Sequence, residues 1–300
     1  MVLLARFLMR SQLNAVLVIS VTALLSLIMP PTALLSGGAV ALVVLKQNSL
    51  EGLKICLMSL LGCGLLAYLV IGVPTFALAM AMAEWLPMLI VASVMQQTRS
   101  LGLAILSVAS IAVLGLAGLY LWVGDPAAMW LQVLNEIIRP VLEKPESGFA
   151  VEQVDQVITE AARFMSGALA ASLVLSLSLS FLLARWWHAV LDNPGGFQEE
   201  FHHLRFGKAA TVASFVVFVI AMALQQEFLL SMAIVFLTVF LFQGMAVAHA
   251  MIKLKGKSLG WLVAMYVAMF ITPQFIVFVV LLGWLDTWID IRQRYISNAV

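Results

Sequence analysis

A chain of 300 residues that is 63% hydrophobic and only 10% charged, with net charge +1 and mean hydropathy +1.08, excludes a water-soluble fold. Soluble domains carry roughly 25% charged residues. The near-zero net charge offers no basic patch or extreme pI for nucleic acid.

Almost every charge falls between long apolar stretches, so the chain reads as an all-α polytopic membrane protein. Met1 to Met9, with Arg6 and then Arg10, has the positive start of a signal peptide. No small-residue cleavage site precedes the Pro30-Pro31 turn, so the first apolar segment reads as a retained span. A bilayer core of about 30 Å needs about 20 helical residues. Spans are therefore predicted near 12–29, 32–46, 54–72, 75–95, 101–123, 164–185, 209–225, 228–249 and 259–285. The second is short, and the last holds Pro273, which predicts a kink or break near Thr272. The expectation is a helical bundle of eight or nine transmembrane helices. Cys56 and Cys63 share one span at a helical separation of about 10 Å. That is too far for a disulfide, and they read as small buried side chains.

Lys and Arg orient the bundle. With the N-terminus inside, the loops 46–54, 96–99, 185–208 and 253–257 are inner and all basic. The outer loop 124–163 carries Asp125, Glu136, Glu143, Glu146, Glu152, Asp155 and Glu160 against Arg139, Lys144 and Arg163. Within it, Trp130, Leu134, Ile137, Ile138 and Val141 follow helical spacing, as do Val151, Val154, Val157, Ile158 and Ala161, on either side of Pro145 to Gly148. This predicts an outer amphipathic helical hairpin. Nothing interrupts the apolar pattern with a soluble domain or a linker, so 1–300 reads as a single transmembrane domain. Ala33, Gly37 and Ala41, and likewise Ser172, Ser176 and Ser180, form small-residue stripes suited to close helix packing.

Catalytic signatures are missing. There is no phosphate loop, no nucleophile turn and no metalloprotease pattern, so no enzyme, catalytic residue or cofactor is expected. Glu84 is the most informative single residue, because it lies in the middle of the 75–95 span. A carboxylate at that depth costs at least a few kcal/mol and needs a protein or water partner. It is the candidate ligand or proton site; the plainer readings are a span boundary or a hydrogen-bonded structural acid.

The inner loop is dense in motifs: Arg185-Trp186-Trp187-His188, then Asn193-Pro194-Gly195-Gly196-Phe197, then Glu199-Glu200-Phe201-His202-His203-Leu204-Arg205. Trp186 and Trp187 fit an interface belt, and Asn193 to Gly196 a turn. Glu199 has helical spacing to His202 and His203, but adjacent histidines point about 100° apart on a helix, so no metal is expected. The loop reads as a basic-aromatic face for lipid head groups or a cytoplasmic partner. His249, at the inner end of its span, and Asp286, Asp290 and Arg292, beside Trp284 and Trp288, are candidate helix-end polar sites. Asp290 is spaced to pair with Arg294.

Together these motifs resemble the YybS-like predicted membrane proteins of bacteria, a family of unknown function. The resemblance rests on Ala184-Arg185-Trp186-Trp187, Asn193 to Phe197, Glu200-Phe201 and Leu204-Arg205. It continues through Gln243-Gly244, His249 and Pro273 to Gly283-Trp284-Leu285-Asp286-Thr287-Trp288, with Asp290 and Arg292. It covers the chain from about 164 onward by motif and the earlier half by hydropathy. That family is similar to the substrate-binding membrane subunits of energy-coupling-factor vitamin transporters. Those subunits use a small-residue face to dock a coupling protein, which recruits ATPases. The resemblance implies small-molecule binding or transport in the bacterial inner membrane, with Ala33, Gly37 and Ala41 as the docking face for a coupling subunit. This chain departs from them by several more spans, a large outer loop and the lack of a vitamin-binding pattern. The rival expectation is a membrane scaffold that holds a cytoplasmic partner through 185–208.

Overall fold

Ser11, Asn48 and Asp125 each precede a helix and cap it: their side-chain oxygens accept the N–H of Asn14, Glu51 and Ala128. The computed structural model describes residues 1–143 and 151–298, and among these there is no strand. The helices are α1 (Val2–Leu8), α2 (Gln12–Leu25), α3 (Ala33–Lys46), α4 (Ser49–Ile71), α5 (Phe76–Met80), α6 (Leu86–Thr98), α7 (Leu101–Val123), α8 (Pro126–Ile137), α9 (Arg139–Leu142), α10 (Val151–Asp192), α11 (Gly196–His202), α12 (Gly207–Leu224), α13 (Glu227–Leu254), α14 (Gly260–Ile271), α15 (Phe275–Ile289) and α16 (Ile291–Asn298). A π-helical turn, Ala81–Trp85, joins α5 and α6 into one helix, Phe76–Thr98.

Among the described residues, six helices are long and apolar enough to cross a membrane: Ser49–Ile71, Phe76–Thr98, Leu101–Val123, Gln153–Asp192, Gly207–Leu224 and Glu227–Leu254. Gln12–Leu25, Pro30–Lys46, Gly260–Ile271 and Phe275–Ile289 are apolar but shorter. The protein is an all-α polytopic membrane protein, with six helices of spanning length where eight or nine were expected. The expected 259–285 span is two helices. Pro273 has no N–H to give and pushes Thr272 out of the helical region (φ −125°, ψ 87°). Hence α14 stops at Ile271, and α15 begins at Phe275.

The chain divides into two compact units. The first comprises Met1–Val108, Leu175–Phe206 and Leu241–Val300, and α3 is central to it. Every residue from Ser36 to Val44 is buried, with α2, α4 and α6 against this short helix. It is apolar on all sides because it has neighbours on all sides. As a result Gly37 and Ala41, expected on a docking face, lie inside the unit.

The second unit comprises Ala109–Val174 and Gly207–Phe240. Leu134, Val154, Ile158 and Ala162 form a buried cluster there, backed by Trp130, Leu131, Leu142 and Met165. Trp130 Nε1 donates to Ser166 Oγ at 2.9 Å, and Arg139 pairs with both Glu143 and Asp155. These contacts join α8 and α9 to the first turns of α10. The second helix of the expected hairpin is not a separate element, however. Its apolar stripe runs unbroken into the expected 164–185 span, giving the 42-residue α10. The expected turn from Pro145 to Gly148 lies outside the described residues.

Candidate functional site

Glu84 stands on the π-helical turn in the middle of Phe76–Thr98. Pro87 follows in the next turn. It has no N–H for the carbonyl four residues back, and a wider turn just before it relieves the clash. The wider turn lets two successive side chains face inward. Glu84 is 4% exposed and Trp85 is fully buried. Ser180 Oγ, on α10, donates to Glu84 Oε1 at 2.6 Å, and the Ser176 hydroxyl one turn earlier also reaches the carboxylate. On α3, Gly37 makes the room: a Cβ there would overlap the Glu84 carboxylate. Beside it, Trp85 Nε1 donates to Ser36 Oγ at 2.9 Å, and Ser36 donates to the Ile19 carbonyl at 2.9 Å. Among the described residues the partners of the acid are hydroxyls, with no cation beside it. Two serines of a stripe that reads as a packing device are therefore the donor set of a buried acid.

The second candidate site gathers motifs that lie far apart in sequence. Arg185 to His188 are not in a loop, because α10 runs on to Asp192. Trp187 is 0% exposed, against Gly38 of α3, which corrects its expected place in an interface belt. Trp186 is half-buried. Trp187 Nε1 has no hydrogen-bond partner among the described residues. Arg185 donates to Glu200 Oε2 through Nε (3.1 Å) and Nη2 (2.6 Å), and Lys46 reaches Asp192 at 2.5 Å. Arg185 Nη1 donates to His188 Nδ1 at 2.8 Å. The Asn193-Pro194-Gly195-Gly196 turn closes with the Gly196 N–H on the Asn193 carbonyl and leads into α11.

After α11 the chain is clamped to α13, α15 and α16. The Phe206 N–H donates to Gln243 Oε1 at 2.9 Å. Gln243 Nε2 donates to the Gly283 carbonyl at 2.6 Å and to Thr287 Oγ1 at 2.9 Å. At Gly244 the α15 backbone comes so close that a Cβ would strike the Val279 carbonyl. Arg292 is 5% exposed; it donates to Asp286 (1% exposed) at 2.6 Å, to the His202 carbonyl at 2.5 Å and to the Leu204 carbonyl at 3.1 Å. Arg205 binds Asp290 through both Nη groups. The ion-pair partner of Asp290 is thus Arg205, where helical spacing pointed to Arg294: α15 ends at Ile289, and the left-handed backbone of Asp290 redirects the chain. This pairing holds the Arg205 guanidinium above its ordinary pKa and the Asp290 carboxyl below its own.

His249 donates from Nδ1 to the Met245 carbonyl at 2.8 Å, and its Nε2 lies 3.4 Å from the Tyr266 hydroxyl. Its ring stands edge-on to Phe201, at a centroid distance of 5.5 Å. His202 lies next to it. Burial, then the charges of Lys253, His249, His203 and Arg292, push its pKa down to about 4. A cavity of about 710 Å³ opens among these groups. Among the described residues, no three His, Cys, Asp or Glu side chains come together as metal ligands.

Residues 15–287 match the family model described as predicted membrane protein (DUF2232). The chain belongs to this family. No curated protein matches it, and neither does any solved structure. The DUF2232 match takes in Glu84 and most of the clamped cluster, including Gln243, His249 and Asp286; Asp290 and Arg292 lie just beyond its end. Gln243 was missed as a clamp by sequence reasoning. Its one signal was a carboxamide inside a long apolar run, which needs buried partners as an acid does.

Proposed function

We propose that this DUF2232 protein is a non-catalytic small-molecule-binding protein of the bacterial inner membrane, and that Glu84 is its intramembrane ligand or proton site. The observation that carries this reading is a mid-span acid, 4% exposed, held only by serine hydroxyls among the described residues. When ionised, such a site is one positive charge short. A proton or a cationic group of a ligand supplies it. The π-helical turn beneath Glu84 fits the same reading, since such turns are frequent at functional sites.

The YybS-like resemblance, with its likeness to energy-coupling-factor substrate-binding subunits, supports binding or transport as the activity. In this reading the N-terminus is inside, which the basic loops favour, and a coupling subunit docks on a face other than Gly37 and Ala41, which are buried. The scaffold reading has less support. Arg185, Glu200 and Arg205 are engaged within the chain, and Trp187 is buried, so the 185–208 segment offers fewer free groups to a partner.

The test is affinity capture of small molecules from an extract of the producing cell, on wild-type and Glu84→Gln protein of matched thermal stability. The wild type is expected to retain a small molecule that the variant releases. Equal retention by both would remove Glu84 from the site.

A further inference from the structure

The 710 Å³ cavity beside α11 has the size of a small-molecule site. Its lining includes His202, His203, Arg205, Lys253 and Arg292, one carboxylate, Glu199, and an apolar side at Leu254. Three permanent cations, Arg205, Lys253 and Arg292, thus line it against one carboxylate, with Asp286 and Asp290 behind the two arginines. Two of them are already oriented. Arg292 is fixed by Asp286 and by two backbone carbonyls. Arg205 spends two N–H groups on Asp290. A guanidinium has five; Nε faces Asp286 at 3.9 Å, and one N–H on each Nη remains for a ligand. Lys253 is exposed and forms no ion pair among the described residues.

The ends of α11 and α13 would repel an anion if their last carbonyls were free. Most are taken: Arg292 takes the His202 carbonyl, and backbone N–H groups of Lys255, Gly256 and Lys257 take those of Met251, Lys253 and Ile252. Burial first, and then Lys253, His249, His203 and Arg292, hold the pKa of His202 down, so the neighbouring charges that act on it are cationic.

We infer that this cavity binds a phosphate-bearing group. Several acceptor oxygens on one anion match the spread of guanidinium, ammonium and imidazole donors, and Leu254 offers an apolar contact for whatever carries the phosphate. A lipid head group and a soluble phosphate ester share this chemistry. The site is independent of Glu84.

The experiment uses the full chain and the double variant Lys253→Gln, His203→Gln, in which both replaced side chains are exposed and the arginine clamps stay intact. In detergent, pyrophosphate binding is measured by calorimetry. In nanodiscs of phosphatidylcholine containing phosphatidylglycerol, retained phosphatidylglycerol is counted by native mass spectrometry. The double variant is expected to lose about tenfold in at least one assay. Lys253→Arg with His203 intact should preserve binding, and Lys54→Gln should leave it unchanged. Loss confined to phosphatidylglycerol identifies a head group as the source; loss with pyrophosphate identifies a soluble phosphate ester. Wild-type binding in neither assay, or equal binding by the double variant in both, overturns the inference.

Discussion

Removing one member of a buried charge pair strands the other, and Asp286–Arg292 is the most enclosed ion pair among the described residues. Asp286→Ala should therefore cost about 3–5 kcal/mol, seen as a lower unfolding temperature in detergent. Asp286→Leu combined with Arg292→Met should restore most of it, because no charge is left unpaired; an unchanged single variant would mean that the pair carries no weight. Gly37→Ala sets a Cβ on the Glu84 carboxylate and should cost about 1–3 kcal/mol. Gly115→Ala, in open space on α7, serves as the unperturbed comparison.

His202 gives a pH dependence with a definite sign. Its folded pKa of about 4 lies below the ordinary 6.5, set by burial and by Lys253, His249, His203 and Arg292. Above pH 6.5 both states are neutral there. Between 6.5 and about 4 the unfolded chain takes up a proton that the folded chain refuses, so stability falls as pH falls. His202→Gln should flatten that part of the stability profile, and an unaltered slope would assign it to other groups. Glu84 was legible in sequence because a carboxylate in an apolar run has no periodic excuse. Its partner Ser180 lies 96 residues away and leaves no mark of the pairing in the local pattern.

At the scale of elements, hydropathy located the apolar segments but could not tell a lipid-facing helix from a core helix. The segment around α3 shows the difference. It reads as a short span, yet Ser36 to Val44 are all buried within its own unit. Trp187 was misplaced for the same reason. An indole that fits an interface belt also fits a core, and only the neighbouring Gly38 decides for Trp187. Trp187→Ala should accordingly cost about 3–5 kcal/mol. Trp186→Ala should cost clearly less, since its side chain is half-buried. Equal small losses would return Trp187 to the interface. Pro273, by contrast, was readable from covalent geometry alone, and the break between α14 and α15 falls where its missing N–H requires. The run from Val151 to Asp192 carries no proline or glycine pair to stop it, which is why an expected amphipathic segment and an expected span are one helix.

At the scale of the molecule, membrane character followed from composition, and the long apolar helices bear it out. The proposed orientation rests on the distribution of Lys and Arg. It predicts that Glu143→Cys, in a background without Cys56 and Cys63, reacts with an impermeant maleimide added to intact cells, whereas Lys255→Cys reacts only after the membrane is opened. The reverse pattern would invert the orientation. The central claim is that the mid-membrane acid holds a ligand, and native mass spectrometry of the full chain, gently extracted from its own membrane, tests it most directly. Wild-type protein and Lys253→Gln are expected to carry the same bound small molecule, and Glu84→Gln to lack it while remaining folded. A wild-type spectrum with no small molecule, or one identical to that of Glu84→Gln, would contradict the account and leave Glu84 as a structural acid.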